Sequence, residues 1–174
     1  QAPSWSYGYD QLKHILPAII NKYRVDRSRI YLTGLSAGGG GSFTTLGSRD
    51  SLFIKNFAAV VTASSAGADA ANGYTETQVE AGLRLVSKYG VRVWTIGGEQ
   101  DYLLDTDVRY HDSTNMLNPV PANKLTVIQT VGHSAWVKAY DPAFRPVTNY
   151  YGKTGACNNG CNNGGVPVAL NNNG

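Results

Sequence analysis

The sequence predicts an α/β fold, a mostly parallel β-sheet flanked by helices. Three observations predict it. Four short segments rich in β-branched and aromatic residues alternate with segments of helical period. The connections between them are a few residues long, as in right-handed crossover units around a parallel sheet. The 174 residues, 42% of them hydrophobic, suffice for one domain with a real core.

The elements follow in order. Residues 10–23 carry Leu12, Ile15, Leu16, Ile19 and Ile20 at helical spacing, with Asp10 as candidate N-cap. Pro17 should kink or restart this helix. Residues 29–33 read as the first strand, and residues 37–47 as a helix of small side chains. Its run Gly38 to Gly41 costs about 1 kcal/mol per Gly relative to Ala, which close approach to neighbouring strands would offset. Residues 57–63 are the second strand. Residues 77–89 are an amphipathic helix with Val79, Leu83 and Val86 on one face. Residues 91–96 are the third strand, 105–116 a helix, 124–129 the fourth strand and 142–150 a last helix.

Composition bounds the function. A net charge of +3 and a pI near 8.9, with Lys and Arg scattered, provide no concentrated basic face for nucleic acid. No run approaches the roughly 18 apolar residues of a membrane helix. Low charge with many Tyr and Asn suggests an extracellular or periplasmic protein. Cys157 and Cys161, four residues apart, suit a small local disulfide, with two free thiols as the alternative, and no other soft ligands lie near them for a metal. From Gly152 to Gly174, 13 of 23 residues are Gly or Asn, too few apolar side chains to repay ordering. We therefore expect a domain over 1–151 and a linker-like tail over 152–174, tethering the domain within a longer chain.

Gly34-Leu35-Ser36-Ala37-Gly38 is Gly-x-Ser-x-Gly between a strand and a helix. In that context a sharp turn projects the Ser hydroxyl from the carboxyl edge of the sheet, with glycines leaving room on either side. The Ala37 amide at the helix start can donate to an oxyanion. A Ser hydroxyl needs a base, and the base needs an acid to orient it. Of the three His, His14 precedes Ser36 and His111 falls in an expected surface helix. His133 follows the fourth strand, at the same sheet edge as Ser36. Asp101 follows the third strand at that edge and is the candidate acid. Glu99 comes too early in the loop, and Asp105 and Asp107 open the next helix, where they suit cap and dipole roles.

The segment from Val25 through Gly-Leu-Ser-Ala-Gly-Gly39 resembles the nucleophile segment of secreted α/β-hydrolase esterases, the feruloyl, acetyl-xylan and polyhydroxybutyrate-depolymerase-like esterases and related peptidases. Gly98-x-x-Asp101 is similar to that family's acid loop. Gly132-His-Ser-Ala-Trp136, followed by Ala139-Tyr-Asp-Pro142, is similar to its histidine loop and closing helix. The resemblance spans about residues 1–150. It implies a three-layer α/β-hydrolase sandwich, with Ser36 as nucleophile, His133 as general base and Asp101 as orienter, and no metal or organic cofactor. It also implies that a tryptophan, Trp5 or Trp136, lines the substrate cleft or packs beside it. The family's first four strands and its His-Gly-Gly-type loop have no counterpart here, so the sheet is expected to be reduced on its N-terminal side. The expected function is hydrolysis of short-chain or carbohydrate-linked esters through an acyl-enzyme. A peptidase with the same triad, and a catalytically weak remnant that binds a polysaccharide or partner, are the alternatives.

Overall fold

The computed structural model describes residues 8–68, 74–117 and 123–144, and the backbone of 148–149 and 168–169. Strands β1 (Tyr31–Leu35), β2 (Ala59–Ala63), β3 (Arg92–Gly98) and β4 (Lys124–Ile128) form a parallel sheet in the order β1-β2-β3-β4. Each return to the amino end runs through a helix. The chain is thus α1 (Tyr9–Lys22), β1, α2 (Ala37–Gly47), α3 (Ser51–Ile54), β2, α4 (Glu76–Leu83), β3, α5 (Leu104–Asn115), β4 and α6 (Trp136–Ala139). A two-residue antiparallel pair joins Thr148–Asn149 to Val168–Ala169.

The register sorts side chains between the two faces. Leu32, Val60 and Val93 lie in one row, and Gly34, Thr62, Thr95 and Leu125 in another on the same face. This face takes the major helices. Phe43 and Leu46 of α2, Val79 and Leu83 of α4 and Tyr110 of α5 are sealed against Val60 and Val93, with Tyr9, Leu12 and Leu16 of α1 packed on the outside. The alternate residues Ala63, Ile96 and Ile128 face the other way, under Ala135, Trp136 and Phe144. The result is a helix–sheet–helix α/β architecture whose second helical layer is thin. Tyr31 is 65% and Leu35 41% exposed at the outer face of β1.

The glycines of α2 have a packing reason. A Cβ on Gly40 would sit 2.6 Å from the Ala66 carbonyl, and one on Gly47 would sit 2.9 Å from the Val79 backbone. A Cβ on Gly82 of α4 would run into the Gly47 backbone. The close approach is therefore to α4 and the loop after β2 as well as to β1, where a Cβ on Gly34 would run into the Gly38 carbonyl, and it offsets the weak helix propensity.

Several boundaries shift. The first helix begins at Tyr9, capped at Gly8, whose amide donates to the Gln11 side chain at 3.1 Å. Asp10 sits in the first turn and pairs with Lys13 at 2.7 Å. The helix continues through Pro17, whose ring lies on the exposed side where the freed carbonyl can meet water. The helix expected over 77–89 ends at Leu83, and a 3₁₀ turn, Val86–Tyr89, closes at Gly90 with φ 77°. The helix expected over 142–150 does not form: 142–143 is a turn and Thr148–Asn149 is strand. Pro146 has no amide hydrogen and disfavours helical backbone at Arg145, and Val147 and Thr148 are β-branched.

Candidate active site

The carboxyl ends of β1, β3 and β4 deliver one polar side chain each to a common rim. Ser36 follows β1 directly, with φ 48° and ψ −118°. Its amide donates to the Ala63 carbonyl at 3.0 Å, and its carbonyl accepts from Gly40 at 3.1 Å and Ala66 at 2.9 Å. These three bonds hold a conformation that non-glycine residues avoid. Gly34 is required: a Cβ there would run into the Gly38 carbonyl. At Gly38, by contrast, a Cβ would meet no described neighbour, so that glycine leaves room for nothing that is seen.

His133 stands in the loop after β4. Its Nε2 is 2.9 Å from Ser36 Oγ, and its Nδ1 lies 3.1 and 3.2 Å from the two carboxylate oxygens of Asp101. Asp101 is buried, and its Oδ1 also accepts from the Leu103 amide at 3.0 Å. One glycine makes the meeting of these loops possible: a Cβ on Gly98 would collide with the carbonyls of Val131 and Gly132. Polarity follows from the order of the contacts. An Nδ1–H donated to Asp101 leaves Nε2 with a lone pair facing the Ser36 hydroxyl, the arrangement a general base requires. The Ala37 amide opens α2, so it has no partner within the helix and points with the positive end of the helix dipole.

The other candidates separate from this site. Glu99 is exposed and accepts from the Thr130 amide at 3.0 Å, bracing the loop after β4. His14 is exposed on α1. His111 lies in no surface helix position: it is 1% exposed, and burial drives its imidazole down to about 4, so it stays neutral inside α5. Asp105 is exposed in the first turn of α5, whereas Asp107, expected beside it as a cap and dipole partner, is completely buried and bonds the Ser65 amide at 3.1 Å. Trp136 and His133 set their rings perpendicular with centres 5.0 Å apart, and Trp136 also packs on the Ala63–Ile96–Ile128 cluster. Trp5, Cys157 and Cys161 lie outside the described residues. Tyr102 escaped the sequence reading. It is 79% exposed, and its ring centre lies 5.2 Å from that of His133. Its position directly after Asp101, in the same loop, was the available signal.

Among the described residues no group of three or more His, Cys, Asp or Glu is placed to hold a metal ion, and no helix is long and apolar enough to cross a membrane. A cavity of about 310 Å³ lies at the amino ends of β2 to β4, lined by Ala59, Val61, Arg92, Trp94 and Lys124, at the opposite end of the strands from Ser36.

No protein-family model and no curated protein matches the chain. Among solved structures it is similar to a ferulic acid esterase, at 25% identity and a TM-score of 0.55, over 75% of this chain. The match spans 57% of the length of that esterase. The likeness extends to an α/β fold with a four-stranded parallel sheet flanked by helices, and links the chain distantly to an esterase.

Proposed function

We propose that this chain is a serine esterase using Ser36, His133 and Asp101. The observation that carries the reading is the unbroken relay from Ser36 Oγ to His133 Nε2 and from His133 Nδ1 to the buried Asp101 carboxylate. Such a relay is what a weakly nucleophilic hydroxyl needs to attack a carbonyl. The similarity to a ferulic acid esterase supports the same reaction class.

The chemistry proceeds in two halves. Ser36 Oγ attacks the ester carbonyl carbon as its proton passes to His133 Nε2. The oxyanion that forms takes a hydrogen bond from the Ala37 amide. The imidazolium, held by Asp101, gives the proton to the departing alkoxide, which leaves as the alcohol. A water then gives a proton to His133 and attacks the acyl carbon. Ser36 departs with the proton returned, and the acid is released. Neither half consumes a metal or cofactor.

The substrates we propose are short-chain or carbohydrate-linked esters met outside the cytoplasm. Tyr102 and Trp136 flank the base with aromatic surface, and aromatic faces suit sugar rings and planar acyl groups. The test uses p-nitrophenyl acetate, a feruloylated oligosaccharide and an aminopeptide anilide, with fluorophosphonate labelling of wild type and Ser36→Ala. Ester turnover and labelling that both vanish in Ser36→Ala support the reading. Turnover of the anilide alone makes the protein a peptidase. A folded wild type that neither labels nor turns over any of the three makes it a binding module.

A further inference from the structure

Asp107 belongs to no step above, yet it is completely buried in the first turn of α5. Its Oδ1 accepts from the Ser65 amide at 3.1 Å, and its Oδ2 has no partner in hydrogen-bond geometry. The Ser65 hydroxyl lies beside the same carboxyl but outside that geometry. Space around the pair is tight on both sides. A Cβ on Gly97 would sit 3.2 Å from Asp107 Oδ2, and one on Gly39 would sit 2.6 Å from Ser65 Oγ. Ser65 is thus wedged between the start of α2 and the start of α5.

The neighbours of Ser65 complete a path to the nucleophile. Ser64 has φ 48°, so the backbone entering this segment is itself held in an unfavourable conformation. Ala66 donates to the Ser36 carbonyl at 2.9 Å. From the Asp107 carboxyl to Ser36 the route is one hydrogen bond, one peptide link and a second hydrogen bond.

We propose that Asp107 is a positioning residue for Ser36, its carboxyl oxygen fixing the Ser65 amide so that the adjacent Ala66 amide holds the strained turn in register with His133. The inference rests on the esterase reading for its kinetic part only. What the position demands is an acceptor, not a charge. Burial pushes the Asp107 carboxyl well above the ordinary carboxylate range, and the charge of Asp101, in the loop after β3, adds to the push. From the loop after β2 the group that faces it is uncharged Ser65.

The experiment compares Asp107→Asn, which keeps an acceptor oxygen of the same reach, with Asp107→Leu, which removes it. The readouts are p-nitrophenyl acetate kinetics, and hydrogen exchange of the Ser65 and Ala66 amides by NMR. Asp107→Asn should hold kcat within about 3-fold and leave both amides protected. Asp107→Leu should lower kcat by roughly 10²-fold at little-changed KM, the scale of a reacting group displaced by about 1 Å, and should expose both amides. If Asp107→Leu does not fold, Asp107→Ser, whose hydroxyl is too short to reach Ser65, takes its place. A folded acceptor-less variant that keeps wild-type kcat and amide protection overturns the proposal, as does an Asp107→Asn variant as impaired as Asp107→Leu. If wild type has no esterase activity, the esterase reading fails by itself. The exchange pattern alone then decides whether Asp107 holds the turn.

Discussion

Two regions of the molecule meet at α2 and obey different rules. The rim at the carboxyl ends of the strands is polar and held in unfavourable backbone conformations: Ser36, Ser64 and Thr130 follow β1, β2 and β4 with φ of 48°, 48° and 59°. The layer beneath it, where α2 meets α4 and α5, is apolar, glycine-seamed and sealed, with Phe43, Leu46, Val79 and Leu83 fully buried. The rim spends stability to aim side chains, and the layer supplies it. Substitutions should therefore divide cleanly: those at the rim change turnover more than stability, and those in the layer do the reverse.

The largest expected effect is at the rim. Ser36→Ala removes the attacking oxygen but no packed atom, so kcat for p-nitrophenyl acetate should fall by about 10⁴-fold or more. Thermal stability should stay within a few degrees, as measured by calorimetry. A Tm that dropped sharply would erase the distinction between the two regions.

Below the rim but on the other side of α5, beside Asn115 and the start of β4, the sharpest probe is His111, which burial holds down to about 4 from an ordinary value of 6.5. The folded state then binds this proton more weakly than the unfolded state does. The stabilisation is fully present above pH 6.5 and is lost as pH falls toward 4. Its limit is about 3 kcal/mol, from about 1.4 kcal/mol per pKa unit. Asp107 and Asp112 act with the opposite sign, since burial raises both, Asp112 to about 6. Their effect is shared by wild type and His111→Gln, so it cancels in the difference. Urea unfolding at pH 7 and pH 4.5 should show the gap between the two proteins narrowing or reversing at the lower pH. A constant gap would mean that His111 does not titrate with unfolding.

The glycine seam comes next. Gly82→Ala places a methyl against the Gly47 backbone, where no flexible side chain can yield. Overpacking of this kind costs about 1–3 kcal/mol. Denaturant midpoints should fall accordingly, while kcat per folded molecule stays within about 2-fold of wild type. A kcat that fell in step with stability would show that α2 transmits layer strain to Ser36.

What was legible in the sequence follows the same division. Alternating apolar periods placed the four strands and the helices α1, α2 and α5 within two residues, because binary patterning reports which face is covered, whereas the short α3 and α6 gave no such signal. The same logic brought Ser36, Asp101 and His133 to one sheet edge, where the structure has them in hydrogen-bond contact. What local pattern could not reveal were long-range relations. Asp107 has the local signature of a helix N-terminus, and only the return of the loop after β2 onto it makes it a buried acceptor. Gly82 signals nothing until α4 is laid across Gly47. The failed helix over 142–150 was a misjudged breaker: Pro146 lies in the middle of that window.

The smallest expected effect tests whether the rim is strained in energy and not only in geometry. Ser36→Gly and Ser36→Ala both lack the hydroxyl, so neither should turn over ester, and their difference isolates the backbone. At φ 48° and ψ −118° an Ala keeps the steric conflict of its Cβ, whereas Gly has none. Relief of such a conformation contributes about 1–3 kcal/mol. Against it stands the greater freedom of Gly in the unfolded chain, about 0.5–1 kcal/mol. Ser36→Gly should therefore be more stable than Ser36→Ala by about 0.5–2 kcal/mol in urea unfolding. A Gly variant less stable than the Ala variant would show that the three hydrogen bonds on Ser36 impose no cost on its backbone, and that the rim is aimed without strain.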